Sequence, residues 1–317
     1  MSTSLRTDRI YPDILSAIGR TPLVELRRIP QGLGSRILVK FEAVNPGGSI
    51  KSRTAAAMID SAERSGFLSP DSIIVEPTSG NQGIGVAMVC AVKGYRCRII
   101  ILSTVSEERK QLIRAYGAEL VEVPAGANIK ADIEHALRIA LEMRANDPRV
   151  YIPNQFENPH NPQVHRDDTA KEILGAVDGP IDAFISGIGT GGTITGIGEE
   201  LKAAHPGCRV YLVEPTNAAV FGQGCMSHHN QQGIGDGIIP AILNQEVFDE
   251  VLMVSDGEAM EMARRLAREE GMLCGVSGGT NVWGAVEAAR RLGSGKTVVT
   301  ILPDTGERYL SMGLFGT

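Results

Sequence analysis

Apolar, β-rich runs alternate with helical patterns along nearly the whole chain, and this alternation constrains the fold more than any other feature. Residues 37–41, 73–76, 96–102, 119–123, 183–186, 209–214 and 297–302 read as strands. Helical patterns fall between or after them, at 52–65, 82–92, 107–116, 131–146, 194–205, 258–270 and 281–292. Strands separated by helices need crossover connections, so the pattern predicts an α/β protein with parallel sheets and helices on both faces. Ligands of such sheets bind beyond the carboxyl ends of the strands. The residues immediately after strands are therefore the ones to read for function. Segments 153–165 and 215–240 have weak periodicity and many turn residues, which marks them as active-site loops or domain crossings.

Four glycine-bearing elements lie at such places. The first is Asn45-Pro-Gly-Gly-Ser-Ile-Lys51, between a strand and a helix. A lysine at a helix start is disfavoured by the helix dipole. Lys51 alone reads either as a solvated surface charge or as an amine kept reactive by burial. The second is Glu76-Pro-Thr-Ser-Gly-Asn-Gln-Gly83. Here Thr78, Ser79 and the helix N-terminus offer a carboxylate site, and Asn81 offers a neutral amide for a phenolate-like oxygen. The same residues also suit an ordinary N-cap turn.

The third element, Gly187-Ile-Gly-Thr-Gly-Gly-Thr193, converges backbone N–H groups on a phosphate at a positive helix end. Gly187, Gly189 and Gly192 also fit the dinucleotide-binding pattern, with Glu214 placed where a ribose-binding acid would stand. An NAD-dependent dehydrogenase is therefore a competing reading from another enzyme class. The fourth is Cys274-Gly-Val-Ser-Gly-Gly-Thr280. It reads as a glycine-rich turn before the last long helix, with the Ser277 hydroxyl available to a ring nitrogen. A serine leaves a pyridine nitrogen unprotonated, which favours β-elimination over transamination. A dehydrogenase explains only the third element. A pyridoxal-phosphate site uses all four: an amine for the aldehyde, an amide for the ring oxygen, a cradle for the phosphate and a hydroxyl for the ring nitrogen.

Composition limits the partners. The chain has 317 residues and a net charge of −6, which argues against a nucleic-acid or anionic-membrane surface. Five cysteines, odd in number and without C-x-x-C spacing, suit a reducing compartment. With no apolar signal core at the start and no run long enough to span a bilayer, the expected location is cytoplasmic. His135, His160, His165, His205, His228 and His229 show no metal-ligand spacing, and no metal is expected.

The motifs resemble those of the fold-type II pyridoxal-phosphate enzymes, and most closely the cysteine synthase and cystathionine β-synthase group. NPGGSIK, PTSGN, GTGGT and QGIGDGIIP stand in family order, from Ile18-Gly-Arg-Thr-Pro-Leu23 to Leu302-Pro-Asp-Thr-Gly-Glu-Arg-Tyr309. The resemblance implies the tryptophan synthase β-like fold. Its larger cofactor domain would be 1–50 with 156–317, and its smaller mobile substrate domain 51–155. Lys51 resembles the cofactor-binding lysine and the base at the substrate Cα. Asn81, Ser277 and Gly189, Thr190, Gly191, Gly192 and Thr193 resemble the other cofactor contacts. Thr78, Ser79, Gln82 and Gln155 are similar to substrate binders. The implied reaction is β-replacement through an aminoacrylate, making cysteine from O-acetylserine and sulfide. Cystathionine β-synthase, sulfide release from cysteine, or another donor or nucleophile are the alternatives. A homodimer is implied, and a complex with serine acetyltransferase is compatible with it.

Three positions depart from the cysteine synthase pattern: Gln82 stands for a usual Thr, Ser52 follows the lysine, and Asp236 replaces a small residue. An Asp near the β-carbon would repel hydrosulfide, or would act as base for a neutral nucleophile such as water, a thiol or an amine. It would alternatively turn outward and cap a local turn.

Overall fold

The computed structural model describes residues 10–78, 80–126, 129–225 and 227–316. Ten strands are assigned among them: β1 (Leu23–Glu25), β2 (Arg36–Phe41), β3 (Ile73–Pro77), β4 (Arg96–Leu102), β5 (Glu119–Val123), β6 (Val150–Tyr151), β7 (Ala183–Gly187), β8 (Arg209–Pro215), β9 (Glu250–Val254) and β10 (Thr297–Leu302). The α-helices are α1 (Lys51–Arg64), α2 (Asn81–Lys93), α3 (Glu107–Ala115), α4 (Ile129–Asn146), α5 (His160–Val164), α6 (Ala170–Ala176), α7 (Gly192–Ala204), α8 (Asp256–Glu270) and α9 (Val276–Leu292). The strands form two sheets. The larger runs β1-β2-β10-β7-β8-β9 and the smaller β5-β4-β3-β6. All pairings are parallel except β1 with β2. The protein is thus an α/β fold of two domains, each built on a mostly parallel sheet flanked by helices.

The larger sheet is apolar on both faces, as a sheet covered by helices must be. Side chains alternate along a strand, and β8 shows it. Tyr211 and Val213 join the core under α8 and α9, while Val210 and Leu212 join the core under α6 and α7. The smaller sheet has its own core, in which Ile73, Val75, Ile99 and Ile101 pack with Val86 and Val89 of α2 and Ile113 of α3. Capping shapes the ends. Ser255 and Glu258 form a reciprocal capping box at the start of α8.

Three departures from the sequence reading have physical causes. The stretch expected as loop to residue 165 instead enters α5 at His160, continues through a π-turn over His165–Thr169, and runs on as α6. Asn161, His165 and Thr169 are polar yet fully buried there. An apolar period does not register buried polar residues. Helix α9 begins at Val276, before the glycine pair that suggested a turn. A Cβ on Gly279 would overlap the Ala259 carbonyl of α8, so the glycine allows close helix packing. The edge strands β1 and β6, of three and two residues, are too short for alternation to register, and the edge strand β9 was likewise not read as a strand.

Candidate active site

A cleft lies between the two sheets. It opens where β7 and β10 of the larger sheet, and β3 of the smaller, reach their carboxyl ends. Lys51, Thr78, Asn81, Gln82, Gln155, Gly189, Thr190, Gly191, Thr193, Asp236 and Ser277 all line it. Gly192 opens α7 directly beside them. Ser79 lies outside the described residues.

Lys51 is the first residue of α1. The loop before it is tied to the end of β10. Ile50 N donates to Pro303 O at 2.8 Å, and Lys51 N donates to Ser49 Oγ at 3.3 Å. Burial lowers the Lys51 amine to about 8, against the opposing pull of the Asp236 and Glu76 carboxylates. Its Nζ stands 3.3 Å from Thr190 Oγ1. Glu76, the penultimate residue of β3, is fully buried. Burial raises it to about 8, although the N–H groups of Asn154 and Gln155 and the charge of Lys51 pull it down. Those N–H groups donate to it at 3.0 and 3.4 Å, which fixes the Gln155 segment beside the cleft.

The loop Gly189–Thr193 bends sharply, with Gly191 at φ +81 capping α7. That left-handed conformation favours glycine. A Cβ on Gly189 would sit 2.5 Å from the Gly233 carbonyl, and one on Gly192 would overlap the Asn161 amide. The glycines therefore let the start of α7 pack directly against the Gly233 carbonyl and the Asn161 side chain. Asn281 of α9 braces the strand ends behind it. Its Oδ1 accepts from Gly187 N at 2.8 Å, and its Nδ2 donates to Ile301 O at 2.9 Å. Ser277, in the first turn of α9, faces the cleft.

Several polar atoms at the cleft are buried and lack a partner: Gln82 Nε2, Gln155 Oε1 and Asp236 Oδ1. Gln82 is held from its other end, where Oε1 accepts from Thr54 Oγ1 at 2.9 Å. Asp236 points inward, not out to a turn. It is buried, and burial raises its pKa above the usual carboxylate value, against the charges of His229 and Lys51. Buried polar atoms without partners are rare, so their clustering here marks a place built to receive a polar ligand.

Asn81 is held by a group the sequence reading did not single out. Its Nδ2 donates to Asp304 Oδ2 at 2.7 Å, and Arg308 Nη1 donates to its Oδ1 at 2.6 Å. Tyr309 Oη also donates to Asp304 Oδ2, at 2.7 Å, and the Arg109 guanidinium lies 4.5 Å over the Tyr309 ring. Arg109 also donates to Gln232. This buried cluster joins α2 and α3 of the smaller domain to the segment after β10. Asn161 and His165 were also missed, the first because nothing marked it, the second because only metal spacing was sought. Their i, i+4 spacing matches that of Gly192 and Gly196, likewise four apart, but the match shows only once α7 is placed against them. No His, Cys, Asp and Glu grouping suited to a metal occurs among the described residues.

Glu214 does not serve the dehydrogenase reading. Its carboxylate accepts from Phe221 N at 3.1 Å and Gly222 N at 3.0 Å, and so anchors its own loop, away from the cleft.

Comparison with known proteins bears on the same point. The family described as pyridoxal-phosphate dependent enzyme matches residues 14–304. A cysteine synthase of Staphylococcus aureus is 46% identical over 304 residues, covering 96% of each chain. Among solved structures, an O-ureido-L-serine synthase is 42% identical with a TM-score of 0.91, covering 97% of this chain and 96% of the other. A cysteine synthase of Entamoeba histolytica is 38% identical with a TM-score of 0.93, covering 100% of this chain and 94% of the other. The chain belongs to the pyridoxal-phosphate dependent enzymes, and pyridoxal 5'-phosphate is its cofactor.

Proposed function

We propose that this enzyme is a cysteine synthase, replacing the acetate of O-acetylserine with sulfide at the β-carbon. The observation that carries the reading is the buried amine of Lys51, lowered to about 8 and facing the Gly189–Thr193 loop across one cleft. The residues fit the cofactor. The glycine loop at the start of α7 lines the cleft and suits a phosphate, because its N–H groups and the helix dipole favour an anion. Ser277 is the partner for the ring nitrogen, and Asn81, held by Asp304 and Arg308, the partner for the ring oxygen. Bound there, pyridoxal phosphate supplies an aldehyde for the amine and a conjugated ring that withdraws electrons from the substrate Cα.

The protein's own groups do the rest. Gln82 Nε2 lacks a partner in the structure and is available to a substrate carboxylate, with Thr78 and Gln155 lining the same cleft. Lys51 Nζ moves the proton at the substrate Cα. An amine near 8 is poised for this at neutral pH, since it both accepts and returns a proton readily. Burial of the cleft keeps water from the β-carbon while the leaving group departs. We also assign residues 51–155 as a unit that closes over the substrate, with 1–50 and 156–317 as the body that carries the phosphate loop. The chain works in the cytoplasm as a homodimer, and a complex with serine acetyltransferase is compatible with that assembly.

Asp236 favours a second reading. Its Oδ1 has no partner and it neighbours Gly189. A carboxylate there takes a proton from a neutral nucleophile and repels hydrosulfide. Under this reading the enzyme works with a thiol, water or an amine, as in cystathionine formation or sulfide release from cysteine. One experiment separates the readings. Purified protein is scanned in the visible with O-acetylserine, O-phosphoserine, cysteine and serine, and the products are identified with sulfide or a thiol present. A band shift with O-acetylserine and cysteine as product supports the synthase. A shift with cysteine alone and sulfide release supports the second reading. A colourless protein overturns both.

A further inference from the structure

The helical stretch 160–176 meets α7 through two matched pairs of residues. On α7, Gly192 and Gly196 stand four apart. A Cβ on Gly196 would overlap the Pro162 carbonyl and lie 2.7 Å from His165 Cβ. On the facing stretch Asn161 and His165 also stand four apart, a spacing that puts both on one helix face. Both are fully buried. The π-turn begins at His165, and such turns gather at functional sites.

The hydrogen bonds have definite directions. Asn161 Nδ2 lies 2.8 Å from the Gln155 carbonyl, which only accepts, so the amide orientation is set. The same Nδ2 donates to Thr190 Oγ1 at 3.0 Å. Lys51 Nζ, also a donor, lies 3.3 Å from that oxygen. Both lone pairs of the Thr190 hydroxyl are thereby occupied, and its proton is free to point into the loop. Burial, with the charges of Arg53 and Lys51, holds the His165 ring neutral, so it has one donor and one acceptor nitrogen. Nδ1 is 3.0 Å from Thr169 Oγ1 and Nε2 is 3.4 Å from Thr193 Oγ1.

We infer that Asn161 and His165 are positioning residues for the cofactor phosphate: from behind the loop they donate to the Thr190 and Thr193 hydroxyls, so that both hydroxyl protons are aimed at phosphate oxygens. Phosphate oxygens accept, so each threonine must donate, and a hydroxyl that already accepts a hydrogen bond donates more strongly. His165 then carries its proton on Nε2, with Nδ1 accepting from Thr169. The inference rests on the assignment of Gly189–Thr193 as the phosphate cradle.

The test measures the affinity of cofactor-depleted enzyme for pyridoxal phosphate and, in parallel, for pyridoxal, which lacks the phosphate. Asn161→Ala and His165→Leu each weaken pyridoxal phosphate by about tenfold, the scale of stranding a buried polar group, and leave pyridoxal unchanged. His165→Gln, which returns an N–H near the Nε2 position, recovers most of the loss. In a Thr190→Val background Asn161→Ala adds nothing, and in a Thr193→Val background His165→Leu adds nothing. Asn161→Ser and His165→Asn run the same cycle where a larger truncation fails to fold. Losses that are equal for the two ligands, or that persist in the valine backgrounds, mean a merely structural role and overturn the inference while the cradle stands. Unchanged phosphate affinity in Thr190→Val and Thr193→Val overturns the cradle and the inference together.

Discussion

Arg53, two residues after Lys51 on α1, anchors a buried charge cluster whose loss is measurable. Its Nε donates to Glu42 Oε2 at 2.7 Å and Nη2 to Glu42 Oε1 at 2.9 Å, while Nη1 and Nη2 each donate to Glu172 at 2.7 Å. Lys40 Nζ pairs with Glu172 at 2.6 Å. Two cations and two anions thus balance in a site where Arg53, Glu42 and Lys40 are almost wholly excluded from water. Burial raises the Glu172 carboxyl, but the hydrogen bonds and charge of Arg53, with Lys40 and the Arg20 N–H, outweigh it and hold Glu172 at about 2. A drop from the ordinary 4.5 to about 2 is on the order of 3 kcal/mol. Removing one partner of a buried pair costs about 3–5 kcal/mol. At about 2.1 cal/mol/K of unfolding entropy per residue, the chain's 317 residues give about 0.7 kcal/mol/K, so Arg53→Met lowers Tm by roughly 4–7 °C. Arg53→Lys keeps the charge but loses the fork, and falls between the two. The assay is calorimetric unfolding at matched cofactor saturation. The sign with pH follows from the depressed carboxyl. The stabilisation is present above the unfolded carboxyl pKa, and it is lost as pH falls through about 2. The gap between wild type and Arg53→Met therefore holds at neutral pH and narrows only in acid. A gap below about 1 °C at neutral pH would refute the reasoning, because no buried pair would then be at stake.

Three further outcomes are expected. Only the unprotonated Lys51 amine attacks an aldehyde, so the rate at which depleted enzyme captures pyridoxal phosphate climbs as pH rises through about 8; a flat profile would contradict the burial argument. Asp236→Asn removes an anion that raises the Lys51 pKa, so the capture profile moves to lower pH, and turnover shifts toward hydrosulfide relative to neutral thiols; stopped-flow and product assays read both. Gly192→Ala forces a methyl into the Asn161 amide and weakens cofactor binding by at least about tenfold, checked by equilibrium titration.

The site was legible in the sequence where its parts are local. The phosphate loop and the lysine loop each occupy a single strand-to-helix turn, and their glycines announce the close approaches that the structure displays at Gly189 and Gly192. The parallel sheets were legible because β4, β8 and β10 carry strong apolar runs. What stayed hidden depends on distant residues. Nothing near Asn81 signals that Asp304 and Arg308, more than 220 positions away, hold its amide. Asn161 and His165 look like loop residues until α7 is placed against them. Glycine pairs mislead in the same way: at Gly278 and Gly279 they permit helix packing, not a turn.

The position of β10 has a consequence for how the molecule is assembled. β10, the last strand among the described residues, sits in the middle of the larger sheet, between β2 and β7. The smaller sheet draws only on residues 73–151 and can pair while the rest is still being synthesised. The larger one cannot. Until residues 297–302 emerge from the ribosome, β2 and β7 present open apolar edges to the cell, the kind of surface that recruits neighbouring chains. Pairings this remote in sequence are slow to form. Nascent chains stalled before β10 therefore carry the exposed edges that favour aggregation.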